Sequence, residues 1–172
     1  MKKTNVKMLV EDNSSTEVPS LVARTKREAI KILECGGNVL NLEEFNDSFA
    51  VMYSAVTKDG SKLSICSDKL KRNQRLVYAA ILNHGRAIFD ANPMYLDDKT
   101  AIKYAFISGD EEMSLKLFKP EFSKDYDIAF FAVTSNKDEL DNVDISLRNN
   151  SSFIMAVNRE FEHAEKVYRN VV

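Results

Sequence analysis

The chain has 172 residues, 44% of them hydrophobic and 29% charged, a size and balance that fit one globular domain and exclude a disordered or low-complexity protein. Its formal charge of -2, from 24 basic and 26 acidic residues, supplies no whole-molecule field that would draw it to nucleic acid or anionic lipid. Five glycines and three prolines are few for a chain of many tight turns, two cysteines give neither a disulfide framework nor a zinc pattern, and no run approaches the roughly 18 apolar residues of a membrane span.

In chain order, residues 1–22 stand outside the pattern that follows and are expected to be an N-terminal extension or cap. Met1, Lys2 and Lys3 precede Thr4 and Asn5 rather than an apolar run, so the start does not resemble a secretory signal, and a cytoplasmic location is expected. Val6 to Val10 reads as a short strand or extended cap, and Glu11 to Ser20 as a polar, mobile segment.

Residues 23–172 carry an internal repeat. A small residue followed by a bulky apolar one recurs as Ala55-Val56, Ala80-Ile81, Ala105-Phe106, Ala132-Val133 and Ala156-Val157, with Ile32-Leu33 as a degenerate first copy. The steps are 23, 25, 25, 27 and 24 residues. Seven residues before each anchor stand Thr25, Ser48, Asn73, Asp98, Asp125 and Asn149, all of them types whose side-chain oxygen can accept from an unpaired amide of a first helical turn. Glu28, three residues after Thr25, completes the spacing of a capping box. Five residues after the first three anchors come Gly37, Gly60 and Gly85, read as left-handed helix ends. A helix of about ten residues, helix A, is therefore expected in each copy.

Eight residues after the anchor an apolar position returns as Leu40, Leu63, Ile88, Met113, Leu140 and Ala164, opening a second segment. Its spacing, as in Leu63, Cys66 and Leu70, puts side chains on one helical face, and Ser67, Asn92 and Asp144 are expected to shorten this helix B. The fourth copy is longer, and Pro120 is expected to kink it. One helix A cannot bury its apolar stripe alone. The expected fold is all-α, a solenoid-like stack of about six two-helix repeats of about 25 residues, with a longer helix A and a short helix B.

The run from Leu70 to Ile88, LKRNQRLVYAAILNHGRAI, resembles the unit of an uncharacterised helical repeat family, a domain of unknown function whose repeat reads LRxDxEVVxAAVxxxGxALxxAS. The likeness is best from about Leu63 to Tyr104. It implies a helical stack and carries no activity, ligand or catalytic residue with it.

No residue pattern points to a metal, a cofactor or a catalytic centre. His84 and His163, the only histidines, lie about three repeats apart, and no HxxxH or CxxC spacing occurs. Gly36-Gly37 lacks a phosphate-cradling pattern. Neighbouring acids at Glu43-Glu44, Asp97-Asp98, Glu111-Glu112 and Asp138-Glu139 are read as solvated helix-start residues, which leaves an enzyme with a carboxylate site as a minor alternative. The densest charge is basic: Lys69, Lys71, Arg72, Arg75 and Arg86, with Tyr78 among them. These five cations are the candidate binding residues. A nucleic-acid-associated factor using the Lys69–Arg86 region is one alternative they raise. The leading expectation is a non-enzymatic protein-interaction module, a monomer or weak homodimer without membrane association. Such a module suits a small inhibitor or modulator of a larger partner, for example a bacteriophage or effector protein acting on a host factor.

Overall fold

The computed structural model describes residues 20–171, and side chains as far as His163. The expected strand at Val6 to Val10 and nearly all of the polar segment after it lie outside the described residues. The described chain is mostly helical, with one departure from all-α: Ser20–Leu21 (β1) and Asn38–Val39 (β2) form a two-stranded parallel sheet. Asn41 fastens the same corner, since its amide nitrogen donates to the Ala23 carbonyl and its oxygen accepts from the Ala23 amide.

Five α-helices of eight to ten residues follow at regular intervals: Lys26–Glu34 (α1), Phe49–Val56 (α2), Gln74–Asn83 (α3), Lys99–Ile107 (α4) and Tyr126–Ser135 (α5). A single turn, Ile145–Arg148 (α6), precedes the long final helix Ser151–Val171 (α7). Each long helix packs against the next, α5 meeting α7 directly. Residues three, four, seven and eight beyond the cap face inward, as in Val51, Met52, Ala55 and Val56 or Leu76, Val77, Ala80 and Ile81, all buried.

The capping positions fall where the sequence puts them, with one exception. Thr25, Asn73, Asp98 and Asp125 accept from first-turn amides, and Ser48 occupies the cap of α2 without a side-chain bond. In the last copy the cap is Asn150, not Asn149: its Oδ1 accepts from the Phe153 amide at 3.1 Å. This register buries Phe153 and Val157, and restores the 25-residue step from Asp125.

Helix B is not one helix. After α2 and after α3 the chain makes two separate 3₁₀ turns, Gly60–Ile65 with Leu70–Arg72, and Gly85–Phe89 with Pro93–Leu96. The residue that divides them uses its backbone amide to reach the preceding copy: Ser67 donates to the Asn46 carbonyl, Asn92 to Lys71 and Asp144 to Ser123, each at 3.0 Å. A continuous α-helix would spend those amides on its own carbonyls. The break therefore supplies a bond between neighbours.

The glycines also work differently from expectation. Gly60 and Gly85 are buried first residues of 3₁₀ turns and lack positive φ; only Gly36 (φ 84°) and Gly109 (φ 74°) are left-handed among the described residues. A Cβ on Gly60 would stand 2.2 Å from the Ala80 carbonyl oxygen, and one on Gly85 2.5 Å from that of Ala105. Glycine there lets a turn press against the end of the next α-helix. Leu63, Ile88 and Met113 are buried as expected, but Leu40 is exposed because β2 turns it outward, and Leu42 takes the inward place. The extra length of the fourth copy lies in the loop of residues 108–114, whereas Pro120 simply begins a 3₁₀ turn, where its missing amide costs nothing.

Candidate functional site

The five basic residues do not form one cluster. Lys69, Lys71 and Arg72 precede α3 and Arg75 lies in its first turn, whereas Arg86 follows its far end, about 15 Å along the axis. Arg86 pairs with Glu112 at 3.0 Å and lies over the Phe89 ring. Lys69, Lys71, Arg72 and Arg75 form no ion pair with another described residue. The backbone under them is fixed, since the Lys71 carbonyl accepts from the Asn92 amide and the Arg72 carbonyl from the Tyr95 hydroxyl.

Arg75 belongs to a feature that the sequence reading missed, an aromatic and cationic ridge along the outer side of α2 to α5. Phe49 and Tyr53 stack with centroids 5.4 Å apart, and the Arg75 guanidinium lies 5.0 Å from the Tyr53 ring and 5.9 Å from Phe49. Tyr78 meets Tyr104 edge to face at 5.1 Å. The Lys103 ammonium lies 6.0 Å from the Phe131 ring, which packs edge to face on Phe130. Each helix thus hands an aromatic or cation contact to its neighbour. The six rings on this ridge are only half-buried. The signal was present in the sequence: counted from the cap, position five reads Tyr53, Tyr78, Lys103 and Phe130, and position six includes Tyr104 and Phe131.

Charge on the ridge is uneven. Toward its α5 end the lysines are matched, Lys99 by Asp125 and Lys103 by Asp127. Toward α2 and α3, Lys69, Lys71, Arg72 and Arg75 have no carboxylate partner among the described residues. Tyr78 is committed to packing: its hydroxyl donates to Asp98 at 2.6 Å and accepts from Gln74, and its ring also meets Tyr95.

At least one acid of each neighbouring pair has a partner in the fold. Glu44 accepts from Asn41, Asp97 pairs with Lys119, Asp98 caps α4, and Glu112 pairs with Arg86. Glu139 is buried, with Oε2 accepting from the Leu115 amide at 2.8 Å and Oε1 from Asn142. Asn83 holds the Gly60 amide and Asp110 the Arg86 amide in the same way, one copy back. His84 is not a bare turn residue, since its Nδ1 lies 3.3 Å from Asp110; His163 is exposed on α7. A surface hollow of about 420 Å³ borders Asp110 and Glu111, yet Asp110 is already bound to His84 and the Arg86 amide. Among the described residues no group of three or more His, Cys, Asp or Glu side chains is placed to hold a metal ion.

Cys66 is buried and burial pushes its thiol up to about 11, against the pull of Lys71, so it is a packing residue rather than a nucleophile. Cys35 is exposed. No described helix is long and apolar enough to cross a membrane.

Fold and surface together define a mostly helical protein with a patterned outer face. Compared with protein-family models, with curated proteins and with solved structures, the chain finds no match in any of the three.

Proposed function

We propose that the chain is a solenoid-like stack of six copies, each an α-helix followed by a shorter turn-rich segment, and that it serves as a non-enzymatic protein-interaction module. The observation that carries this reading is the ridge from Phe49 to Phe131, which crosses four consecutive helices and keeps its rings half-exposed. Aromatic and arginine side chains dominate the energetic hot spots of protein interfaces, the rings by burying large area at low rotamer cost and arginine by its planar fork of donors. A helical stack presents such residues at a fixed repeat, so that a partner is engaged over several units. The likeness of Leu70 to Ile88 to a helical repeat unit supports the same architecture. On this reading the protein is a cytoplasmic monomer or weak homodimer that inhibits or modulates a larger protein.

The test is affinity capture of the tagged protein from its native host at moderate salt, with and without nuclease. A stoichiometric protein that survives nuclease is expected. Loss of every companion on nuclease treatment would move the function to nucleic acid, and a binder of small molecules alone would refute the module.

A further inference from the structure

We propose that the α2–α3 end of the ridge receives a short, extended acidic segment of the partner protein, with a carboxylate of that segment held by Arg75 and an apolar side chain three or four residues away resting on Leu82. This rests on the interaction-module reading and adds the chemistry of what is bound.

Charge complementarity carries the inference. The Arg75 guanidinium lies over the Tyr53 and Phe49 rings, 5.0 Å and 5.9 Å from their centroids, a cation–π contact that uses none of its N–H donors. No described carboxylate lies within ion-pair distance of it, whereas Arg86, Lys99 and Lys103 all have one. Around it, Lys69, Lys71 and Arg72 make four cations in all, against Asp68 and against Asp47, which accepts from Ser67. Asp98, whose Oδ2 accepts from the Tyr78 hydroxyl beside Gln74, is a third acid at this end of α3, so four minus three leaves a local excess of one positive charge in a chain whose total is -2.

The spacing follows from α3. Arg75, Ala79 and Leu82 share its outer face, and seven residues at 1.5 Å each separate Arg75 from Leu82 by about 10 Å. An extended segment rising about 3.3 Å per residue spans that in three to four residues. Ala79, small and half-buried, leaves room for a backbone between the two anchors. Leu82 is 44% exposed, and Ile107, at the equivalent place on α4, is 47% exposed and widens the apolar end.

A nucleic acid suits this surface less well. Tyr78 meets Tyr95 and Tyr104 edge to face and its hydroxyl is bound to Asp98, so its half-buried ring is already engaged from two sides. A long phosphate backbone running onto α5 would meet exposed Asp127, while a single carboxylate needs only Arg75 and its neighbours.

The experiment is selection of a random-peptide library on the full-length protein, followed by fluorescence anisotropy with the most enriched peptide and, separately, with oligo(dT). Enriched peptides are expected to pair Asp or Glu with Leu, Ile, Met or Phe three to four residues away. Arg75→Ala should weaken the enriched peptide about tenfold, and Arg75→Lys should recover only part of that, because lysine lacks the planar fork. Arg72→Glu, at an exposed side chain, repeats the test by charge alone should Arg75→Ala fail to fold. Enriched peptides without acids, or affinity unchanged by Arg75→Ala and Arg72→Glu, would overturn the inference while leaving an interaction surface in place. Tighter, Arg75-dependent binding of oligo(dT) would overturn it in favour of nucleic acid, and a library yielding no binder would also overturn it.

Discussion

The Tyr78 hydroxyl donates to Oδ2 of Asp98 at 2.6 Å while Oδ1 of the same carboxylate accepts from the Thr100 and Ala101 amides, so one side chain both starts α4 and ties it to α3. Tyr78→Phe removes the tie and the exposed bond from Gln74, and leaves the cap. In urea unfolding it should lower stability by about 1–2 kcal/mol, the range for a hydrogen bond to a charged acceptor that is partly open to water. Asp98→Ala removes tie and cap together and should cost about 2–3 kcal/mol. In the double variant the Tyr78 loss should shrink to that of the exposed bond from Gln74, because the Asp98 partner is already gone.

Two pairs of glycines should respond differently to a methyl group. Gly60→Ala and Gly85→Ala drive a Cβ into the backbone oxygen of Ala80 or Ala105, atoms that cannot rotate away, and each should cost about 3 kcal/mol or prevent folding. Gly36→Ala and Gly109→Ala meet nothing within 4 Å and pay only for a left-handed backbone, about 1–2 kcal/mol. Melting of the four variants checks the order.

The two thiols should differ in reactivity. At pH 8 a thiol reagent should modify exposed Cys35 quickly and leave buried Cys66, whose thiol stands at about 11, until the protein unfolds. Quantifying modified thiols with and without denaturant reads this directly, and two fast thiols in the native protein would contradict the burial of Cys66, whose thiol donates to the Lys62 carbonyl.

Acid should weaken the junction between α4 and α5. Burial pushes the Asp125 carboxyl up, but Lys99 and the Ile128 amide outweigh it and hold the group below the ordinary carboxylate range. A carboxylate depressed in the folded state contributes fully above its unfolded pKa, about 4, and loses that contribution as pH falls through the lower folded value. Asparagine keeps the capping oxygen and removes the ionisation. Between about pH 5 and pH 2 the wild-type protein should therefore lose stability more steeply than Asp125→Asn; equal slopes in urea titrations would contradict the pairing.

The α-helical half of each copy was legible because its signal is local. Thr25, Asn73, Asp98 and Asp125 announce a helix start by their own chemistry, and the apolar stripe behind them follows the helical period. The second half was not, because Leu63, Cys66 and Leu70 have the same spacing whether they lie on one short α-helix or on two 3₁₀ turns; what decides between them is the amide of Ser67 reaching the carbonyl of Asn46, twenty-one residues away. Gly60 misled for a similar reason: the atom that forbids a side chain there belongs to Ala80. For the candidate site, reading along the chain grouped Arg75 with Arg86, whereas reading down position five of the copies would have aligned Tyr53, Tyr78 and Phe130. Charge density in sequence located Arg75 but not the rings beneath it.

The most direct test of an interaction module built on this ridge is to repeat the affinity capture with two substituted proteins, one carrying Arg75→Glu with Tyr104→Ala and the other carrying Met94→Ser at an exposed residue of the turn Pro93–Leu96. With folding verified by melting, the partner should be lost or severely reduced with the first and retained with the second. Retention by the ridge variant at wild-type stoichiometry would contradict the central claim.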